Sequence, residues 1–64
     1  MNEELYKEAV ELVLTQRDCR VSFLQRKLSI GYALSAHLLD RMEEEGIVSA
    51  GGIEPRKILK SPLS

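Results

Sequence analysis

The sequence predicts a mainly α domain with a small β-hairpin: a winged helix-turn-helix of three helices plus a wing. Three observations predict it. Residues 22–46 read as a short helix, a tight turn at Ile30-Gly31 and a longer helix that stops at Gly46. Residues 3–16 place apolar side chains at helical spacing. Beyond Gly46, two β-prone runs flank a glycine-containing connection, the pattern of a hairpin.

The first helix, over 3–16, gathers Leu5, Tyr6, Ala9, Val10, Leu12 and Val13 on one broad arc, with Glu4, Lys7, Glu8 and Glu11 opposite. Glu3 and Glu4 suit the positive end of its dipole. Residues 17–21 form a connector with room for one short strand. The second helix, over 22–28, has Ser22 as its expected cap and Gln25 three residues on to complete a capping box. Leu24 and Leu28 lie one turn apart and face the core. Gly31 is expected to use its freedom at positive φ in the turn. The third helix spans 32–45 and ends on Gly46 as its C′ glycine. On this helix Tyr32, Ser35, Leu38, Leu39 and Met42 share the predicted core arc, while Ala33, His37 and Arg41 line the opposite side beside Asp40 and Glu44. Leu34 lands near the border. The hairpin covers 47–60, with strands at 47–50 and 56–60 and Pro55 at a strand start, where its missing donor costs little. Residues 61–64 read as a tail.

With 64 residues, the chain is expected to form one domain over 1–64. So short a chain buries only about 60% of its unfolded surface, which makes its stability marginal. At 44% hydrophobic and 30% charged residues it belongs to the globular class. No apolar run reaches the roughly 18 residues that span a bilayer, and there is no signal-peptide pattern, so no membrane contact is expected of this domain. The single cysteine, Cys19, has no internal disulfide partner and reads as an inert, partly buried small hydrophobe.

A net charge of −1 conceals alternating blocks. Residues 1–15 set Lys7 against Glu3, Glu4, Glu8 and Glu11; residues 16–41 set Arg17, Arg20, Arg26, Lys27 and Arg41 against Asp18 and Asp40. Glu43, Glu44, Glu45 and Glu54 follow, and then Arg56, Lys57 and Lys60. Basic charge therefore gathers around the turn and the C-terminal segment, as a nucleic-acid footprint requires. The bland alternative is that small domains scatter charge over solvated faces.

Catalytic constellations are missing. There is one histidine, no cluster with metal-ligand spacing, and no glycine-rich loop followed by Lys and Ser or Thr. Glu43-Glu44-Glu45 reads as a solvated helix end, and Gly51-Gly52 as a turn that no helix follows. The chain is read as a binding module that is not an enzyme and needs no cofactor.

Glu4-Leu5-Tyr6 with Glu8-Ala9-Val10, then Leu24-Gln25-Arg26-Lys27-Leu28, Ile30-Gly31-Tyr32, Met42-Glu43, Gly46-Ile47-Val48 and Pro55-Arg56-Lys57-Ile58-Leu59 form a specific series along nearly the whole chain. In these residues the sequence resembles the C-terminal γ domain of the FtsK/SpoIIIE family of septal DNA translocases. The resemblance implies a winged helix that recognises short, polar, G-rich chromosomal sequences in double-stranded DNA and so orients the motor during chromosome segregation and cell division. It also implies the rest of the translocase motor and, in cell-division members, a tyrosine recombinase as partners. The location implied is cytoplasmic, in a protein anchored at the division septum.

The sequence departs from the family at one place. After Gly-Tyr the family usually carries Asn-Arg-Ala-Ala-Arg, whose Asn and two Arg face DNA; here those positions hold Ala33, Leu34 and His37. Each bidentate contact to guanine is worth about 1–3 kcal/mol of discrimination. The DNA-facing set is thus Ala33, Leu34, His37 and Arg41 on the third helix, Gln25, Arg26 and Lys27 on the second, and Arg56 and Lys57 beside the wing. Two function classes follow: a DNA-binding module with altered or weakened specificity, or a winged helix used for protein–protein interaction, with Ala33, Leu34 and His37 as the docking patch.

Overall fold

The computed structural model describes residues 3–51 and 56–60, with three helices in the order α1 (Glu3–Gln16), α2 (Val21–Leu28) and α3 (Tyr32–Glu44). α1 has the bounds its periodicity predicts. Tyr6, Ala9 and Val13, at i, i+3 and i+7, are buried on its inner face. It ends at Arg17, whose φ of 57° stops the helix.

The connector delivers the chain to α2 differently from the expected capping box. Asp18 Oδ1 accepts the Arg20 backbone N–H at 3.0 Å, and its Oδ2 accepts from the Arg20 guanidinium at 2.7 Å. This local turn places Arg20 in extended conformation as the N-cap, with no side-chain cap, so α2 begins one residue early at Val21. Ser22 is therefore inside the first turn and exposed, and the Ser22–Gln25 box is not formed. No strand is assigned within the connector.

The turn between α2 and α3 also corrects an expectation. Gly31 has φ −76° and ψ 170°, ordinary extended backbone, and serves as the N-cap of α3. The left-handed residue is Ser29, at φ 53° and ψ 48°. Its N–H and that of Ile30 both point to the Gln25 carbonyl, which satisfies the end of α2. The reversal is completed two residues before the glycine.

α3 ends as its glycine predicts. Gly46 has φ 76°, its N–H donates to the Glu43 carbonyl, and the Ile47 N–H donates to the Met42 carbonyl at 2.8 Å. These are the two bonds of a Schellman motif, and the buried pair Met42 and Ile47 supplies its apolar contact.

The core draws on every element: Tyr6, Ala9 and Val13 from α1, Cys19 from the connector, Phe23 and Leu24 from α2, Leu38, Leu39 and Met42 from α3, then Ile47 and Val48. α2 packs on α3 more extensively than α1 packs on either. Ser35 is fully buried, its hydroxyl donating to the Gly31 carbonyl at 3.0 Å. Tyr32 departs from the predicted core arc and is 66% exposed. It is the first residue of α3, and a helical side chain covers the turn preceding its own Cα. That direction carries Tyr32 off the packed part of the helix.

After α3 the chain forms an isolated antiparallel bridge between Val48 and Ile58, not two strands over 47–50 and 56–60. Around it the Ser49 N–H donates to the Lys57 carbonyl at 2.8 Å and the Leu59 N–H to the Ile47 carbonyl at 2.9 Å. The Lys57 N–H returns a bond to Ser49 Oγ at 2.8 Å. Residues 52–55 of the expected hairpin connection and the expected tail, 61–64, lie outside the described residues. Among the described residues no helix is long and apolar enough to cross a membrane.

Candidate nucleic-acid interface

The cations that the sequence places near the turn and the wing fall into two groups. One group is engaged within the fold. Arg20 pairs with Asp18, Arg41 with Glu3 and Glu45, and Arg56 with Asp40. The second group comprises Arg26 and Lys27, exposed on α2, and the exposed side chain of Lys57; among the described residues none of these makes an ion pair within 4.0 Å or a side-chain hydrogen bond. Exposed cations of this kind are open to phosphate.

Arg41 is the most heavily engaged of the predicted residues. Its Nη1 donates to Glu3 Oε1 at 2.6 Å, its Nη2 to Glu3 Oε2 at 3.1 Å, and its Nε to Glu45 Oε2 at 2.9 Å. Its guanidinium also lies over the Tyr6 ring. The hydrogen bond from Arg41 holds the Glu3 carboxyl below its usual range, and Glu3 and Glu45 in turn raise the Arg41 pKa. The arginine the sequence assigned to base contact thus ties α3 to the start of α1.

Tyr6 supports that tie from below. Its ring is buried, and among the described residues its hydroxyl has no hydrogen-bond partner in bonding geometry. Burial, reinforced by the neighbouring Glu45 carboxylate, pushes its pKa up to about 12. The ring also walls a groove of about 430 Å³ along α1, lined with Val10, Leu14 and Ile47 among others. None of the residues predicted from sequence for DNA lines this groove.

On α3, Ala33, His37 and Asp40 are exposed and Leu34 is half-buried, so the outer face predicted from periodicity is an outer face in the fold. Gln25 on α2 is half-buried, and its carbonyl closes the α2 end. Arg56 is drawn inward. Its side chain is 18% exposed, and Nη2 donates to Asp40 Oδ1 at 3.1 Å. Its Nε is buried and has no partner among the described residues. Cys19 Sγ donates to the Arg56 carbonyl at 3.1 Å, and burial raises the thiol pKa, so the cysteine sits protonated in the core. Arg26, Lys27 and Lys57 and the outer side of α3 thus face solvent. Among the described residues no three His, Cys, Asp or Glu side chains converge on a metal position.

Periodicity missed the exposure of Tyr32 and, although it set Asp40 on the outer face, the contacts of Arg56 with Asp40 and Gly51. Tyr32 lies within reach of the core arc on a helical wheel, and only the direction of a first-turn side chain separates it. Asp40 and Gly51, the partners of Arg56, are 16 and 5 residues from it in sequence. Only the fold brings Asp40 to Arg56.

A mainly helical fold built on α2, its turn and α3 defines a small helix-turn-helix domain. The chain belongs to the Ftsk gamma domain family, which it matches over residues 1–61. It is 47% identical over 62 residues to the DNA translocase SpoIIIE of Bacillus subtilis, covering 95% of this chain and 8% of that protein. It is 48% identical over 59 residues to the DNA translocase FtsK of Lactiplantibacillus plantarum, covering 91% of this chain and 7% of that protein. Against the DNA translocase FtsK of Listeria monocytogenes the identity is 48% over 59 residues, 91% of this chain and 8% of that protein. The chain thus corresponds to a small part of the translocases it matches and is a translocase-associated module.

Proposed function

We propose that this chain is the DNA-binding module of a septal DNA translocase, a winged helix that sets α3 toward the major groove. What carries the reading is the placement of the cations: among the described residues Arg26, Lys27 and Lys57 make no ion pair, nor do Arg17 and Lys60, whereas Arg20, Arg41 and Arg56 are paired within the fold. Family membership supports the same reading, because the matched relatives are named DNA translocases. In this reading Arg26, Lys27 and Lys57 contact phosphates, with Gln25 beside them, and Ala33, Leu34 and His37 face base edges. The segment bridged at Val48 and Ile58 forms the base of the wing. Preference for G-rich sites is weak, because no bidentate group projects from the start of α3.

The motor is the partner to which such a module is joined, a tyrosine recombinase is a second partner in a division protein, and the setting is the cytoplasmic side of the septum. A protein-docking role for Ala33, Leu34 and His37 is the second reading. The observation that favours it is the Asp40 carboxylate, which stays 61% exposed on the same face although Arg56 pairs with it at 3.1 Å.

Titrating a G-rich duplex and a scrambled duplex at several salt concentrations tests the proposal. Steep salt dependence with both duplexes is the expected result. No duplex affinity, together with salt-insensitive capture of a protein partner, rejects DNA binding in favour of docking.

A further inference from the structure

Arg56 has three unusual features in one place. Its guanidinium reaches Asp40 on the outer side of α3 across 3.1 Å. It lies so close over Gly51 that a Cβ there would stand 2.7 Å from Nη1 and 2.9 Å from Cζ. Its backbone carbonyl is held by the Cys19 thiol, and its neighbour Lys57 exchanges two bonds with Ser49. Arg56 therefore joins the connector, the segment after α3 and the exposed face of α3. A Cβ at 51 would push the guanidinium aside from its place over the backbone.

Resting on the DNA-binding reading above, we propose that Arg56 is a positioning residue rather than a phosphate contact. It fixes Gly51 and Lys57 against α3, and it cancels the Asp40 charge on the face that meets the duplex. Lysine does not replace it, because a point charge on a flexible stem neither lies flat on Gly51 nor holds a planar fork. Three residues that sequence alone leaves unrelated become one unit: the charge of Asp40, the bareness of Gly51 and the shape of Arg56.

The test has two arms, with variants Arg56→Lys, Asp40→Asn and Gly51→Ala. Without DNA, ¹H–¹⁵N spectra of each variant show shifts at the amides of Ser49, Ala50 and Lys57 while the α1 amides stay in place. Unmoved Ser49, Ala50 and Lys57 amides in Arg56→Lys and Asp40→Asn overturn the proposal. This arm stands whether or not the chain binds duplex, whereas absence of salt-dependent binding by the unmodified chain rejects the functional reading alone. With DNA, Arg56→Lys weakens binding by roughly threefold or more, the scale of coupling between contacting residues, with the salt slope unchanged. In an Arg56→Ala background, Asp40→Asn recovers the affinity. Full affinity in Arg56→Lys, with a salt slope lower by about one unit in Arg56→Ala, makes Arg56 a direct phosphate contact and overturns the positioning role.

Discussion

The guanidinium carbon of Arg41 stands 4.0 Å from the centre of the Tyr6 ring while its nitrogens grip Glu3 and Glu45. This joins the start of α1 to the last turn of α3, two points 38 residues apart along the chain. An exposed ion pair alone adds little to stability, but the cation on the ring face and the two-pronged grip on Glu3 add to it.

Arg41→Ala is therefore expected to lower the melting temperature by a few degrees at neutral pH. The pH dependence has a definite sign. Glu3 is held below its ordinary value of 4.5 by the Arg41 hydrogen bond, so the folded state favours its ionised form. That contribution is present above pH 4.5 and fades as the pH falls below it toward the depressed value. The gap between the melting temperatures of the parent and Arg41→Ala should narrow on acidification. A gap that stays constant down to strongly acidic pH would show that Tyr6 packing, not the carboxylate, accounts for the effect.

Leu38 is fully buried, as are Met42 and Leu24. Leu38→Ala is expected to cost roughly 2–5 kcal/mol, a large share of the stability of so small a domain. Chemical denaturation gives the number directly. A midpoint that barely moves would contradict the placement of Leu38 at the centre.

Ser29 sits in the left-handed region at φ 53°, where a side chain costs roughly 1–2 kcal/mol. Ser29→Gly relieves that cost but frees the unfolded chain, leaving an expected gain of roughly 0.5–1 kcal/mol. Gly31→Ala should be well tolerated, because φ is negative there and a Cβ would meet nothing within 4 Å. A destabilised Ser29→Gly would mean that the serine contributes more than its backbone conformation suggests.

That pair of residues also marks where the sequence was legible. Helix periods gave α1 to the residue, and glycine chemistry gave the end of α3 at Gly46, because both signals are local. The left-handed turn fell on Ser29 because the Gln25 carbonyl was already within reach of two amides there, a bond pattern that composition does not encode. In the same way Arg41 and Arg56 read as free cations until the fold supplied Glu3 and Asp40, whereas Arg26 and Lys27 are exposed and make no ion pair among the described residues.

Arg26→Ala with Lys27→Ala should weaken G-rich and scrambled duplexes alike and reduce the salt slope by about 2 units, close to one for each phosphate left without its cation. Thermal stability should hardly change, since both side chains are exposed and make no ion pair. Arg41→Ala should do the reverse, shifting the melt and sparing the slope. A slope unchanged by the double variant would make these charges ordinary surface.

In the proposed reading, specificity depends on the start of α3. Ala33 and His37 are exposed, so Ala33→Asn and His37→Arg restore the family's polar groups without disturbing packing. Leu34→Arg is costlier, because Leu34 is half-buried and its stem must stay along the apolar surface while the charge reaches solvent. An arginine at 37 also lies one turn before Asp40 and Arg41. It will compete with Arg56 for the Asp40 carboxylate, so Asp40→Asn should sharpen the effect by leaving the new guanidinium free. The unmodified chain is expected to prefer a G-rich duplex only weakly over a scrambled one. The triple variant should gain preference by about 1–3 kcal/mol for each bidentate contact that forms. Comparing the two duplexes at a fixed salt concentration measures the gain, and equal preference before and after the substitutions would move sequence reading away from the start of α3 to the wing or to the deformability of the duplex.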